Sequence, residues 1–152
     1  MTDTPPPAEN PAAAVPKIYR GLKDVYFERS ETTFIDGKAG ELRYRGFSIH
    51  DLAEQSTFEE TGYLLLYGEL PKASELAAFD AELKRARALP GPVLDIIASL
   101  KTAHPMDVLR TTVSALAAFD PQTSDNSRAA TIAKGIRLTA QVPMIVAAHE
   151  RI

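Results

Sequence analysis

The sequence predicts a mostly α-helical protein with one short β-hairpin near residues 33–45. From Ser48 onward, apolar residues recur at spacings of three and four, which is the period of a helix with a buried face. Before that point, two short extended arms flank a turn that contains glycine, a pattern typical of a hairpin. Two strands alone are marginal in water, so the hairpin is expected to pack against the helices.

The composition limits the class of protein. A length of 152 residues fits one domain, and 45% hydrophobic with 24% charged residues is usual for a water-soluble globular chain. The net charge of -3 argues against a nucleic-acid or anionic-membrane partner, because both favour a basic face. There is no cysteine and no secretory signal, which fits a reducing compartment and predicts a cytoplasmic location. No apolar run approaches the roughly 20 residues that a membrane span needs.

The first 27 residues divide into two parts. Residues 1–16 are rich in proline and alanine and offer little to bury, which predicts a disordered tail. Residues 17–27 mix aromatic and β-branched side chains and are expected to be an extended leader. The predicted hairpin follows, with Asp36-Gly37 and Gly40 in its turn. Residues 17–152 are therefore taken as one helical body preceded by a tail.

Local signals place the first three helices. Ser48 opens a short helix that runs through Glu54. The capping-box pair Thr57 and Glu60 opens the next, which is expected over residues 58–67 and stops at Gly68. A third, amphipathic helix is predicted over residues 73–88. Its inward residues are expected to be Leu76, Phe79 or Ala78, Leu83 and Ala86.

Three more helices follow the break at residues 90–92. A short one starts at Pro92, with Val93, Ile96, Ile97 and Leu100 inward. The next runs from about Pro105 to Phe119. It carries two apolar rows, formed by Met106, Leu109, Val113 and Leu116 and by Val108, Thr112, Ala115 and Phe119. A helix that is apolar on more than one face is usually buried between layers, so this one needs partners on at least two sides.

The last helix is predicted from about Ser127 to the end of the chain, with Pro143 kinking it. Its inward residues are expected to be Ile132, Ile136, Thr139 or Ala140, Val142, Ile145 and Val146. The helical pattern reaches Ile152 without a stop signal, which predicts a chain cut inside an element.

The residues alone show no self-contained active site. There is no phosphate-binding glycine loop, no zinc motif and no nucleophile elbow, so no catalytic residue and no metal ligand is assigned. His104 fits a backbone-bonding residue at a helix start better than an acid–base group, since no partner acid lies nearby in sequence. His50 is expected in solvent, and His149 in solvent or against a continuation of the chain.

Four arginines could bind anions through paired N–H groups. They are Arg20, Arg43, Arg45 and Arg137. For each of them, exposed charge on a loop or helix face is the favoured interpretation, because charged side chains are rarely buried. The aromatic residues Tyr63, Tyr67, Phe79 and Phe119 are expected to belong to the core instead of a ligand site.

The order of six motifs is more specific than any one of them. They are YRGL at 19–22, ETTFIDG at 31–37, LRYRGFSI at 42–49, FEETGYLLLYGELP at 58–71, HPMDVLRTTVSAL at 104–116 and QVPMIVAA at 141–148. Over residues 17–152 this series resembles the N-terminal part of citrate synthases, most closely the short bacterial and archaeal kind that includes 2-methylcitrate synthases.

The resemblance implies a mostly helical homodimer, a transferase of the tricarboxylic acid cycle that condenses acetyl-CoA with oxaloacetate to citrate and CoA. In that family an aspartate takes a proton from the acetyl methyl group, histidines stabilise the enol and polarise the keto acid, and arginines hold the dicarboxylate. No metal or prosthetic group is required, so acetyl-CoA enters as a substrate and not as a cofactor. Base and oxyanion donors must act together, because the methyl proton is weakly acidic.

The family's catalytic residues lie downstream of Ile152, so the resemblance carries none of them onto this chain. It carries one binding residue, Arg20, at a position that can touch the 3′-phosphate of CoA. The 152-residue chain alone is therefore expected to be inactive. The alternatives are a non-catalytic helical dimerisation fragment, a split enzyme completed by a second polypeptide, and a parent that uses propionyl-CoA as a 2-methylcitrate synthase.

Overall fold

The computed structural model describes residues 18–19, 21, 25 and 28–152. The chain divides into two units, residues 1–30 and 31–152, and the fold below is that of the second. The predicted tail and most of the predicted leader lie outside the described residues.

A three-stranded antiparallel sheet opens the second unit, in the order β1-β2-β3. The strands are β1 (Thr33–Asp36), β2 (Glu41–Tyr44) and β3 (Phe47–Ser48). In the first turn the Asp36 carboxylate accepts the N–H groups of Lys38 and Ala39 at 2.9 and 3.0 Å. The predicted hairpin is therefore confirmed, and β2 and β3 pack against the first helix.

The third strand was not predicted. It follows a two-residue turn in which Arg45 and Gly46 both have positive φ, +48° and +88°. Two positive φ values are what a type I′ hairpin turn requires, and an arginine seldom adopts one. A strand of two residues is also too short to show an alternating pattern.

Six α-helices follow. They are α1 (Ile49–Gln55), α2 (Phe58–Tyr67), α3 (Ala73–Ala86), α4 (Gly91–Ser99), α5 (Pro105–Leu116) and α6 (Arg128–Arg151), with a 3₁₀ turn (Ala117–Phe119) directly after α5. The bounds of α2 are those predicted, because the capping box forms in both directions: Thr57 Oγ1 accepts from Glu60 N–H, and the Glu60 carboxylate accepts from Thr57 N–H. Gly68 ends α2 with φ +97°.

Two apolar clusters hold the helices together. In the first, Val93 and Ile97 of α4 meet Val108 and Leu116 of α5 and Ile145 of α6. In the second, the α3 residues Phe79 and Leu83 meet Ile136 and Ala140 of α6. Because α6 contributes to both clusters, it is the axis of the bundle. Pro143 lies inside it between the two contributions, and the helix continues on both sides.

The predicted inward faces of α3 and α4 are confirmed in their buried residues, but those of α5 and α6 need correction. In α5 the buried row is Val108, Thr112 and Leu116, whereas Met106 is 63% exposed. Phe119 lies in the 3₁₀ turn and is exposed. In α6, Val146 is 55% exposed. A helical spacing allowed these residues to point inward, but the helices packed here cover only one face of each element.

Candidate functional site

The three histidines lie in different environments. His104 is the N-cap of α5, and its Nδ1 accepts the Met106 N–H at 3.3 Å, so the structural interpretation is confirmed. His50 is exposed, as expected. His149 is half-buried, and its Nε2 atom is buried without a hydrogen-bond partner in the described part of the chain. That nitrogen therefore does not face solvent, and the alternative expectation, a contact with a continuation of the chain, stays a prediction.

Of the four candidate arginines, Arg20 lies outside the described residues. Arg43 is exposed beside Glu41, as the favoured interpretation predicts. Arg45 is not: its side chain is only 19% exposed, and its Nη2 donates to the Leu65 carbonyl at 3.3 Å. Leu65 belongs to the last turn of α2, which has no basic residue of its own. The guanidinium of Arg45 thus supplies a cation to the negative end of that helix from another part of the chain.

Arg137 also departs from the prediction of an exposed charge. Its side chain is 34% exposed, and its Nη2 lies 2.7 Å from the Oδ1 atom of Asp120, which is itself largely buried. The Nη2 atom is buried and has no hydrogen-bond partner of normal geometry within the described part of the chain, so its contact with Asp120 is ionic. Nothing in the local sequence indicates this pair, because the two residues lie in different elements.

The Arg137–Asp120 pair borders a cavity of about 300 Å³ between the end of α5, the following loop and α6. Its wall is mainly apolar and includes Val113, Leu116 and Leu138. Lys134, Thr123 and Gln141 supply further polar groups. We call it the α5–α6 cavity. Sequence reasoning missed it, because the cavity depends on how two helices and a loop meet.

The loop that closes this cavity is held by several hydrogen bonds. Lys134 Nζ donates to the carbonyls of Thr123 and Asp125 at 3.0 and 2.6 Å. Asp120 Oδ1 also accepts the Gln122 N–H at 2.9 Å. The two Lys134 hydrogen bonds therefore fix the loop to α6.

Asp125 links the same loop to the start of α6. Its carboxylate accepts the Ser127 N–H at 2.8 Å, and Ser127 in turn caps α6 through the Ala130 N–H. The hydrogen bond from the Ser127 backbone, assisted by the Ser127 side chain and the charge of Lys134, lowers the pKa of Asp125 below its usual 3.8. Asp125 is thus a charged anchor of the loop and not a proton donor near neutral pH.

The aromatic residues Tyr63, Tyr67 and Phe79 form one cluster between α2 and α3. The Tyr63 and Tyr67 rings are 4.3 Å apart, and Phe79 meets Tyr63 edge-on at 5.6 Å. Burial raises the pKa of both tyrosines, so their hydroxyls stay protonated at neutral pH. The prediction that the aromatic residues belong to the core is confirmed for Phe79 and for the half-buried Tyr63, whereas Tyr67 and Phe119 are 37% and 42% exposed.

Among the described residues, no three histidine, cysteine or acidic side chains are placed to hold a metal ion. Within that same part of the chain, no helix has the length and hydropathy to cross a bilayer. Small and apolar side chains are exposed on two of the helices. On α5 and the 3₁₀ turn they are Met106, Ser114, Ala117 and Ala118, and on α6 they are Leu138, Met144 and Val146.

Comparison with known proteins identifies the fold. A family model described as citrate synthase, C-terminal domain, matches residues 21–152. The citrate synthase of Deinococcus radiodurans is 47% identical over 135 residues, covering 88% of this chain and 36% of that protein. The 2-methylcitrate synthase 1 of Corynebacterium glutamicum is 39% identical over 134 residues, covering 86% and 35%. The chain thus spans little more than a third of these relatives.

Solved structures similar to this chain are also citrate synthases. The citrate synthase of Pyrobaculum aerophilum superimposes with a TM-score of 0.83 at 35% identity, covering 88% of this chain and 36% of that one. The enzyme of Thermoplasma acidophilum, solved as a ternary complex with carboxymethyl coenzyme A and oxaloacetate, gives 0.74 at 30% identity, with 88% and 36% covered. By sequence and by fold, this chain belongs to the citrate synthase family.

Proposed function

We propose that this chain is the N-terminal helical portion of an enzyme that condenses acetyl-CoA with oxaloacetate to give citrate and CoA. The observation that carries the proposal is the 47% identity to a citrate synthase along nearly the whole of this chain. The described residues contain no assembled acid–base set, so the chain's part is to build the helical frame. The reacting groups come from the rest of the enzyme.

A chimera tests this directly. The aligned segment of the Deinococcus enzyme is replaced by the matching residues of this chain, and release of the CoA thiol is followed with acetyl-CoA and oxaloacetate. We expect turnover by the chimera and none by the 152-residue chain alone. A folded but inactive chimera would contradict the proposal. Thiol release by the chain alone would contradict the assignment of the reacting groups to the rest of the enzyme.

Arg20 is proposed to bind the 3′-phosphate of CoA, as the family resemblance implies. A guanidinium holds a phosphate through two parallel hydrogen bonds, which a neutral amide cannot reproduce. In the chimera, Arg20→Gln is expected to raise the KM for acetyl-CoA several-fold and to leave the KM for oxaloacetate unchanged. Arg29→Gln is the control. An unchanged KM for acetyl-CoA in the Arg20 variant would refute the assignment.

The second candidate is a 2-methylcitrate synthase, in which propionyl-CoA replaces acetyl-CoA. The 39% identity to the Corynebacterium enzyme supports it. The gene beyond the codon for Ile152 gives the test, because an open frame that continues with the family's histidine and aspartate segments provides a full protein to assay. A higher kcat/KM with propionyl-CoA than with acetyl-CoA would favour this candidate. A stop codon at that point would argue against both candidate functions and for a separate dimerisation fragment or a split enzyme.

The absence of cysteine supports the proposal that the protein acts in the cytoplasm.

We further propose that α5 and α6 pack against a second copy of the chain. The support is their exposed surface, which carries small residues (Ser114, Ala117, Ala118) and large apolar ones (Met106, Val146). Small side chains let two helices approach closely, and exposed apolar patches on a stable protein usually mark an interface.

Light scattering of the 152-residue chain tests the dimer. We expect a dimer that Ser114→Arg converts to a monomer, because a long charged side chain separates the two surfaces. Ala77→Arg, at an exposed position on α3, should leave the dimer intact. A monomeric parent chain, or a Ser114 variant that remains a dimer, would overturn the assignment of this face.

A further inference from the structure

The strand β1 is an open edge of the sheet. In the order β1-β2-β3 it has β2 on one side, and within the described part of the chain no strand lies along its other side. The helix α1 packs against β2 and β3. An open edge is a template for another strand, and natural proteins often protect it with lysine or proline. The sequence of β1, TFID, contains neither.

The register of the sheet shows which backbone groups face this open edge. The Arg45 N–H donates to the Thr32 carbonyl at 2.9 Å, so these two residues form a hydrogen-bonded pair. Hydrogen-bonded and non-hydrogen-bonded pairs alternate along an antiparallel ladder. Thr33 and Ile35 therefore form non-hydrogen-bonded pairs with β2, and their N–H and C=O groups point away from it. The open edge thus offers two donors and two acceptors to another strand.

The two central side chains of β1 are apolar and exposed. Ile35 is 70% exposed and Phe34 is 54% exposed, and they lie on opposite faces of the strand. The carboxylate of Asp36 is directed into its own turn, where it accepts the N–H groups of Lys38 and Ala39. A strand that pairs with β1 would therefore meet apolar side chains on both faces.

A second copy of β1 fits this edge in an antiparallel register centred on Phe34. With Phe34 opposite Phe34 of the other copy, Thr33 lies opposite Ile35 on either side of the centre. Each Thr33–Ile35 pair can then exchange two N–H···O=C hydrogen bonds, so every outward group finds a partner. The two Phe34 rings meet in a non-hydrogen-bonded pair, where opposite side chains are closest.

The charges also favour this register. In it, Glu31 and Asp36 lie opposite uncharged residues of the other copy, so no like charges meet. A shift by two residues in one direction places Ile35 opposite Glu31, and a shift in the other direction places Thr33 opposite Gly37 in the turn. Either shift separates the two outward-facing residues, so the register centred on Phe34 is the self-complementary one.

We propose that two copies of this chain associate through β1, which joins their three-stranded sheets into one continuous antiparallel sheet. The contact is isologous, with a two-fold axis through the Phe34 pair. Because β1 is only four residues long, the interface is small, and we expect a Kd of about 0.1–1 mM. The association requires only described residues of this chain and does not rest on the condensation activity. Together with a contact through α5 and α6, it would link copies beyond a dimer.

Sedimentation equilibrium of the Ser114→Arg variant tests the β1 contact by itself, because that substitution is designed to remove the contact through α5 and α6. The experiment is run at low ionic strength, where exposed charges are little screened. We expect the mass to rise reversibly from monomer toward dimer as the concentration approaches about 1 mM. A monomer throughout this range would overturn the proposal.

Charge substitutions at Phe34 in the same background assign the association to β1. Phe34→Lys and Phe34→Glu each remove the aromatic pair and place like charges opposite each other, so each variant alone should associate at least about fivefold more weakly. An equimolar mixture of the two places opposite charges there and should regain association. A loss of folding in either variant cannot produce that recovery.

The matched control uses another exposed phenylalanine. Phe58, at the start of α2, is 70% exposed. Phe58→Lys and Phe58→Glu should leave the association unchanged, both alone and when mixed. Single Phe34 variants that associate as tightly as the Ser114→Arg chain, or a mixture of them that does not recover, would refute the pairing through β1.

Discussion

Thr112 is the most informative single position in the core. It is fully buried in α5, and its Oγ1 atom has no hydrogen-bond partner among the residues that the structure describes. Its neighbours one turn away, Val108 and Leu116, belong to the first apolar cluster. We predict that Thr112→Val stabilises the protein, because valine keeps the shape of threonine and removes an unsatisfied polar group.

The size of the effect follows from three contributions. A buried hydroxyl without a partner costs about 1–3 kcal/mol. Threonine and valine have nearly the same helix propensity, so the backbone contributes little. The methyl group that replaces the hydroxyl gains a small transfer free energy. We therefore expect a gain of about 1–2 kcal/mol in the free energy of unfolding, or on the order of 3–6 °C in Tm for a domain of this size.

Urea unfolding followed by far-UV circular dichroism measures this gain, since the chain has no tryptophan. All variants are compared at one protein concentration, because any dimer would make the midpoint depend on concentration. Thr111→Val, at the exposed neighbouring position, should change stability by less than about 0.5 kcal/mol. Thr112→Ser keeps the hydroxyl and loses the methyl group, so it should destabilise by about 1 kcal/mol or more. A loss of more than about 0.5 kcal/mol in Thr112→Val would show that the hydroxyl has a partner and would refute the reasoning.

Two further predictions concern the links between elements. Arg45→Met should lower the free energy of unfolding by about 1.5 kcal/mol, because it removes a shielded charge-assisted hydrogen bond to the last turn of α2. Arg43→Met, at an exposed ion pair, should cost less than about 0.5 kcal/mol in the same urea experiment. Equal losses in the two variants would contradict the capping role of Arg45. Asp125 has a lowered pKa in the folded state, so its charged form stabilises the fold above pH 3.8 and this contribution is lost as the pH falls through the folded-state value. Asp125→Asn should therefore be less stable than the parent chain at pH 7, and the difference should shrink below pH 3.8; a difference that stays constant with pH would contradict it.

The sequence was most informative where a structure depends on neighbouring residues. Thr57, Glu60 and Gly68 fix both ends of α2 within a few residues of chain, so its bounds could be predicted. The end of α3 lies two residues earlier than predicted. No glycine directly follows that helix, so the sequence does not mark where it ends. The left-handed Arg45 that leads into β3 depends on the adjacent Gly46 and on contacts with Leu65, which lies twenty residues away.

The candidate site could be predicted only in part for the same reason. The capping role of His104 is local and was found. The Arg137–Asp120 pair joins a helix to a loop across seventeen positions, and the α5–α6 cavity also needs Pro90 from before α4. Hydrophobic spacing shows which faces of α5 and α6 are apolar, but it cannot show which of them another element covers. The spacing therefore predicts inward positions for Met106 and Val146, and both are exposed.

A comparison of α3 with α5 supports the proposal that the exposed face of α5 is a contact surface. The two helices are of similar length and each buries one row against its neighbours. On its outer side α3 exposes Lys84 and Arg85, which suits water. Between Arg110 and Asp120 the chain has no charged residue, although Ser114, Ala117 and Ala118 are exposed there. A helix whose outer side remained in water would gain solubility from charge on that side at no cost to its packing. The uncharged second half of α5 and the 3₁₀ turn after it therefore fit a segment that is covered on both sides in the assembled protein, which is the arrangement that the Ser114→Arg experiment tests.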